Sequence, residues 1–280
     1  MIYSRIRGGL GNQLFQYSVA RSLADSLGVD LGLDIREYNK SSKFKMGLNN
    51  FNIRANLNPN NLIKHKKDGK IAYILDGLFG MHKHVYHERF LSFDNQVLLK
   101  PDGTYLKGYW QSEKYIINKK NIIDDLQIIT PPSKKNLLQK TKIEKCNSVS
   151  LHIRRGDYVN NIAHGTCDLL YYQKAIEYYK RKFTKGIEIF AFSDEPEWVE
   201  NNLKVSSKIN YIKHNSSTHN YEDLRLMSYC KHNIIANSSF SWWGAWLNKN
   251  PNKVVIAPKK WFANHKLENK DIIPKKWIRI

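Results

Sequence analysis

The sequence predicts an α/β protein whose sheets are mainly parallel. Three observations predict it: short apolar runs alternate with stretches of helical periodicity, the apolar runs end directly in glycine or polar clusters, and hydrophobic residues make up 41% of the 280-residue chain. That is enough apolar material for a substantial core. At 32.8 kDa, one large unit or two smaller ones fit equally well.

The elements follow in order. Ile2 to Ile6 is a short apolar run and Arg7 to Asn12 is glycine-rich. Leu14, Phe15, Val19, Leu23 and Leu27 then recur at helical spacing, Gly28 stops the helix, and Val29 to Leu33 is the next strand. This is a βαβ opening. From Asn39 to about Pro101 the pattern is irregular and rich in Asn, Lys and aromatic residues, and specificity for a second substrate is expected there. Pro131 and Pro132 break any regular element, so a boundary is expected near Ile128 to Lys135. After a helix, Ser148 to Ile153 reads as a buried strand running into Arg154-Arg155-Gly156. Tyr171 to Phe183 is a helix, and Ile187 to Phe192 a strand ending in Ser193-Asp194-Glu195-Pro196. Tyr221 to Cys230 is a helix, and Asn233 to Ala236 a strand ending in Asn237-Ser238-Ser239. Ligands of open α/β sheets bind beyond the carboxyl ends of the strands, so these three clusters and the first glycine turn are expected to converge on one crevice.

A formal net charge of +20 and a pI near 9.7 imply a positive field that attracts anions: nucleic acid, an anionic membrane surface or a diphosphate. Cys146, Cys167 and Cys230 are odd in number and widely spaced, against a disulfide framework or a zinc knuckle. A reducing compartment fits. No basic segment followed by an apolar stretch opens the chain, and no run of about 18 apolar residues occurs, so a cytoplasmic location is expected, with peripheral contact to an anionic membrane face.

Four constellations carry the chemistry. Gly8-Gly9-Leu10-Gly11-Asn12-Gln13 sits between a strand and a helix, where a glycine turn lets backbone N–H groups approach a phosphate. Asn12 and Gln13 are expected to aim amide donors at the mouth of that turn. Asp34 stands where a dinucleotide fold places its ribose-binding acid, but Leu14 occupies the position of that fingerprint's third glycine, which disfavours a nicotinamide oxidoreductase. In His152-Ile153-Arg154-Arg155-Gly156-Asp157, strand alternation puts His152 and Arg154 on one face and Ile153 and Arg155 on the other. A guanidinium at a strand end can grip a phosphate with two hydrogen bonds; the competing account is an Arg155–Asp157 ion pair. Asp194 matches the paired donors of guanine, with a helix cap as the alternative. Serines of Asn237-Ser238-Ser239-Phe240-Ser241-Trp242-Trp243-Gly244 are natural helix caps at an end that also favours anions; Trp242 suits either the core or a sugar platform. Asp-x-Asp, His-Glu-x-x-His and Gly-Lys-Ser do not occur, so arginine and helix-end N–H groups, with no metal cofactor, are expected to neutralise a leaving diphosphate.

Together, Gly8 to Tyr17, Gly108 to Tyr115, His152 to Tyr158, Phe192 to Asp194 and Leu226 through Leu247 resemble the α-1,2-fucosyltransferases of glycosyltransferase family 11, in family order and over nearly the whole chain. The resemblance implies a GT-B-type fold of two Rossmann-like domains, residues 1–130 on the acceptor side and 131–280 on the GDP-fucose side, and an inverting, metal-independent reaction. It makes Arg154 the β-phosphate ligand, His152 a neighbour of the nucleotide and Asp194 a guanine contact. Ser238, Ser239 and Phe240 become the phosphate-side loop, and the turn with Gly9, Gly11, Asn12 and Gln13 a wall of the donor site. Glu195 stands where many relatives have a second Asp. The animal members' membrane anchor is absent, which points to a bacterial enzyme. The expected reaction moves L-fucose from GDP-β-L-fucose to the 2-hydroxyl of a terminal galactose on an oligosaccharide or lipid-linked glycan, as in O-antigen assembly. Asp157 is the candidate base nearest Arg154. In a loose transition state Asn12 and the diphosphate oxygens suffice to orient the acceptor and take its proton. Fucosylation of another hydroxyl or of protein is one rival. A basic nucleic-acid-binding protein is another, unsupported by any RNA-binding aromatic motif or helix-turn-helix signature.

Overall fold

The computed structural model describes residues 1–39, 44–59, 85–184, 186–267 and 270–280. Much of the irregular stretch between Asn39 and Pro101 therefore lies outside the described residues. The chain divides into two compact units, Met1–Gln127 and Ile128–Ile280.

The first unit carries β1 (Ile2–Arg5), β2 (Leu31–Asp34), β3 (Asn56–Leu57), β4 (Val85–His87) and β5 (Tyr105–Lys107), all in parallel pairs in the order β3-β2-β1-β5-β4. Helix α1 (Leu10–Leu27) links β1 to β2. Gly28 ends it in the left-handed region at φ 64°, its N–H reaching back to the carbonyls of Ala24 and Asp25. Leu14, Phe15, Val19 and Leu23 are buried as their spacing requires, whereas Leu27 is exposed in the last turn. A second, short helix, α2 (Lys119–Asp125), follows β5 among the described residues. Its Asp125 is buried and receives hydrogen bonds from Tyr17 at 2.7 Å and Arg21 at 2.9 Å, which fastens α2 to α1.

Among its described residues the second unit holds a six-stranded parallel sheet: β6 (Ser148–Ile153), β7 (Glu188–Ser193), β8 (Ile209–Ile212), β9 (His232–Ile234), β10 (Val255–Ala257) and β11 (Ile278–Arg279), in the order β11-β10-β9-β6-β7-β8. The connecting helices are α3 (Lys134–Lys145), α4 (Leu169–Lys182), α5 (Pro196–Asn202), α6 (Asn220–Tyr229) and α7 (Ser239–Trp246). Every residue of β6 is buried, as expected of a parallel strand covered on both faces. Val149, Leu151 and Ile153 pack with Tyr172, Ile176 and Tyr179 of α4 and with Ile189, Ile234 and Ile256 of neighbouring strands. Helix α4 begins two residues ahead of the predicted start because Asp168 caps it, accepting from the Tyr171 N–H at 2.7 Å. Trp242 and Trp243 are fully buried, and the Trp242 indole donates to the Ile272 carbonyl at 2.6 Å. Trp242 is therefore core, which removes the sugar-platform alternative.

In both units the strand order reverses at one point. In the second it lies between β6 and β9, since the chain runs outward from β6 through β7 to β8 and then returns to the other side of β6. In the first it lies between β1 and β5. Such reversals open crevices at the carboxyl ends of the strands.

Candidate functional site

In the second unit the three clusters read from the sequence meet at the adjacent carboxyl ends of β9, β6 and β7. His152, on β6, faces Phe240 of α7 across the reversal, ring centroids 5.5 Å apart. Burial, helped by the Arg154 charge, pushes the His152 imidazole down to about 3, so it is neutral at physiological pH. Its Nδ1 is buried without a hydrogen-bond partner among the described residues, an unmet polar atom near the carboxyl end of β6.

Strand β6 ends at Ile153, and the two following arginines part company. Arg154 directs one terminal nitrogen to Asp157 and the other to Asp194, at 3.0 Å, while its guanidinium lies 5.2 Å from the centroid of the Tyr158 ring. Two such contacts use one N–H each of a fork that carries five, so capacity remains for a ligand oxygen. Arg155 pairs with Glu195 at 2.8 Å and stacks 3.5 Å over Trp198 of α5. The expected Arg155–Asp157 pair is thus corrected: Asp157 belongs to Arg154 and Arg155 to Glu195. The cause is Gly156, at φ 27°, which folds the chain back so that the carboxylate three residues on reaches Arg154. A Cβ at Gly156 would come 2.4 Å from an Asp194 carboxylate oxygen.

Asp194 receives the Arg155 N–H at 2.9 Å as well as Arg154. It does not cap α5; the Ser193 hydroxyl accepts the Glu195 N–H at 3.0 Å instead, which removes the helix-cap account of Asp194. Ser238 caps α7, accepting from the Phe240 N–H at 3.3 Å, and Ser239 opens the helix. Helix α7 presents its positive end here. Asn237 is buried, and its side-chain NH2 donates at 3.1 Å to the carbonyls of His164, Gly165 and Trp261. It thereby straps the loop after Asp157 beside the site. His164 in that loop stacks on Tyr158 at 4.8 Å, and burial lowers its imidazole pKa.

Gly9, Gly11, Asn12 and Gln13 belong to the first unit, at its own strand-order reversal. Helix α1 begins at Leu10, so Gly11, Asn12 and Gln13 lie in its first turn and not in the loop expected there. The Asn12 amide oxygen accepts from Gln111 at 2.8 Å, tying this turn to the Gly108-to-Tyr115 motif after β5. Arg7 lies 5.6 Å over the Tyr109 ring. Gln13 does not face the mouth of the turn: it is fully buried, donates to the carbonyls of Gly8 and Lys45 at 3.0 and 2.9 Å, and accepts the Gly47 N–H at 2.9 Å. Its amide is a clamp, so the outward orientation expected of it is corrected. Asp34 is likewise enclosed, held by Arg36 at 2.6 and 2.8 Å and by Tyr105 at 2.7 Å. Burial works against its charge, but these donors hold the carboxyl below its usual range. Its part is structural.

The family pattern described as glycosyl transferase family 11 matches residues 89–280. The chain is also 35% identical to an α-1,2-colitosyltransferase of Escherichia coli, over 100% of this chain and 99% of that protein. The chain belongs to glycosyltransferase family 11. A second Escherichia coli relative of this glycosyltransferase, the O-antigen biosynthesis glycosyltransferase WbnK, is 34% identical over 94% of this chain and 96% of the other. Among solved structures, the NodZ α-1,6-fucosyltransferase soaked with GDP-fucose is similar at a TM-score of 0.52 and 14% identity, covering 87% of this chain and 90% of that one. The fold class is accordingly GT-B, with two Rossmann-like units. Several residues around these arginines gave no sequence signal of their own: Trp198 under Arg155 and the loop from Asn161 to Gly165 that Asn237 holds. Glu88 also went unread. It accepts the N–H groups of Tyr109 at 2.7 Å and Trp110 at 2.8 Å and shapes the first unit's turn.

Proposed function

We propose that this glycosyltransferase moves L-fucose from GDP-β-L-fucose, with inversion, to the 2-hydroxyl of a terminal galactose. The observation that carries the reading is the grouping of His152, Arg154 and Phe240 at the strand-order reversal of the second unit, beside the positive end of α7. Arg154 is fixed by two carboxylates and an aromatic face, which pre-places a guanidinium for the β-phosphate of a departing GDP. A preorganised cation of this kind stabilises the charge that develops in the transition state and needs no metal to do so. Neutral His152 and Phe240 offer an uncharged face to the nucleotide. Asp194 positions Arg154 and has lone pairs left for guanine donors. Asp157 likewise positions Arg154. The acceptor hydroxyl is oriented by Asn12, which the Gln111 amide holds in place. In this account the second unit holds GDP-fucose and the first holds the acceptor.

One observation favours a second donor: the whole-length relative named for colitose transfer. Colitose is fucose without its 3-hydroxyl, so the same diphosphate machinery serves both sugars. A thermal-shift panel tests the nucleotide assignment, because a ligand bound only by the native state raises the unfolding midpoint in line with its affinity. GDP is expected to stabilise the protein well beyond UDP or ADP, with the shift retained in excess EDTA. Equal stabilisation by ADP, or loss of the GDP effect with EDTA, contradicts the proposal.

A further inference from the structure

Helix α3 buries Ile143 together with a polar residue and leaves two leucines outside. Its inner face buries Asn136, which bonds to His214 at 2.7 Å and to Asn215 at 3.0 Å, while Leu137 and Leu138 are 47% and 65% exposed. Ile129, just ahead of the helix, is 59% exposed. Four exposed lysines, Lys134, Lys135, Lys142 and Lys145, share that surface. At helical spacing Lys134, Leu138, Thr141 and Lys145 form one outward line, with Lys135 and Lys142 along one side and Leu137 along the other. Lys140 extends the surface sideways, its ammonium 5.0 Å over the ring of exposed Tyr229 on α6. The helix holds five lysines against Glu144 as its single acid, a net of +4 in twelve residues.

Scattered single exposed apolar residues need no explanation, but two adjacent leucines set among four lysines form an amphipathic face of a particular kind. Lysine stems lie along apolar surface while their heads reach outward, so leucines can enter an acyl boundary as the ammonium groups meet lipid phosphates. We propose that this face of α3 docks the protein on an anionic lipid bilayer. A nucleic acid would use the lysines and leave the leucines idle. The proposal does not depend on which sugar is transferred.

Vesicle flotation of the full chain tests it. Binding is expected to vesicles containing about a third phosphatidylglycerol, falling as salt rises, with none to pure phosphatidylcholine. Leu137→Ser with Leu138→Ser, and separately Lys134→Glu with Lys135→Glu, should each lower the partition coefficient at least about ten-fold. Leu170→Ser, at a residue 53% exposed on α4, should leave it unchanged. Unchanged unfolding midpoints and unchanged transfer to a soluble acceptor distinguish this outcome from misfolding or from failure of the proposed activity. Absence of binding to anionic vesicles overturns the proposal. So does equal binding by all variants, or a lysine variant that loses oligonucleotide binding while vesicle binding stays.

Discussion

Arg154 and Arg155 are adjacent in sequence yet hold different partners, and the difference decides what each contributes. Arg154 bridges Asp157 and Asp194 with fork capacity in reserve, whereas Arg155 is spent on Glu195 and Trp198. Lysine can supply only a point charge at either position. Arg154→Lys is therefore expected to lower kcat by about two orders of magnitude, the usual cost of losing one preorganised donor at a transition state. Arg155→Lys should leave kcat within several-fold and cost about 1 kcal/mol of stability, the scale of one cation–π contact with a partly exposed ion pair. Steady-state kinetics and urea unfolding of both variants check this; a reversed pattern assigns the phosphate to the wrong arginine. Strand alternation put the two side chains on opposite faces in the sequence, but β6 ends at Ile153, so the separation in the structure is made by the loop that follows the strand. The carboxylate partners were not legible, because Asp157 reaches Arg154 only through the backbone turn at Gly156.

That turn belongs to the scale of elements, where β6 meets the loop that Asn237 straps down. Gly156 combines a positive φ with the close approach of Asp194, while Gly186, at φ 79°, has open space where a Cβ would stand. Alanine at either position pays the left-handed backbone cost of roughly 1–2 kcal/mol. Only at Gly156 must it also displace the carboxylate that holds Arg154. Gly156→Ala should thus lower both the unfolding midpoint and GDP affinity, and Gly186→Ala the midpoint alone, as read by thermal unfolding and titration calorimetry. Intact GDP affinity in Gly156→Ala would show that Asp194 does not position Arg154. Elements α4 and β6 were readable within two residues, and α1 at its Gly28 end, whereas its start at Leu10 lies inside the glycine-rich stretch read as a turn. Strands β5, β10 and β11, of two or three residues, were not, since so short a run shows no periodicity and is fixed by pairing with a neighbour.

At the scale of the whole molecule, the alternation of strands and helices was sufficient to predict parallel sheets, and both sheets are parallel throughout their described strands. The choice between one unit and two was not decided by length or composition, and contacts within the chain divide it after Gln127. Each unit carries its own strand-order reversal, and the motifs read from sequence lie at those two places. A glycosyltransferase of this plan needs a nucleotide held at one reversal and a hydroxyl offered to it, which makes the stereochemistry and position of the new bond the decisive observable. The direct measurement is an NMR-followed reaction of the protein with GDP-β-L-fucose and a soluble terminal β-galactoside in excess EDTA. The account predicts a single product with fucose α-linked to the galactose 2-hydroxyl. A β-linked product, a bond to another hydroxyl, or transfer seen only when GDP-colitose replaces GDP-fucose would contradict it.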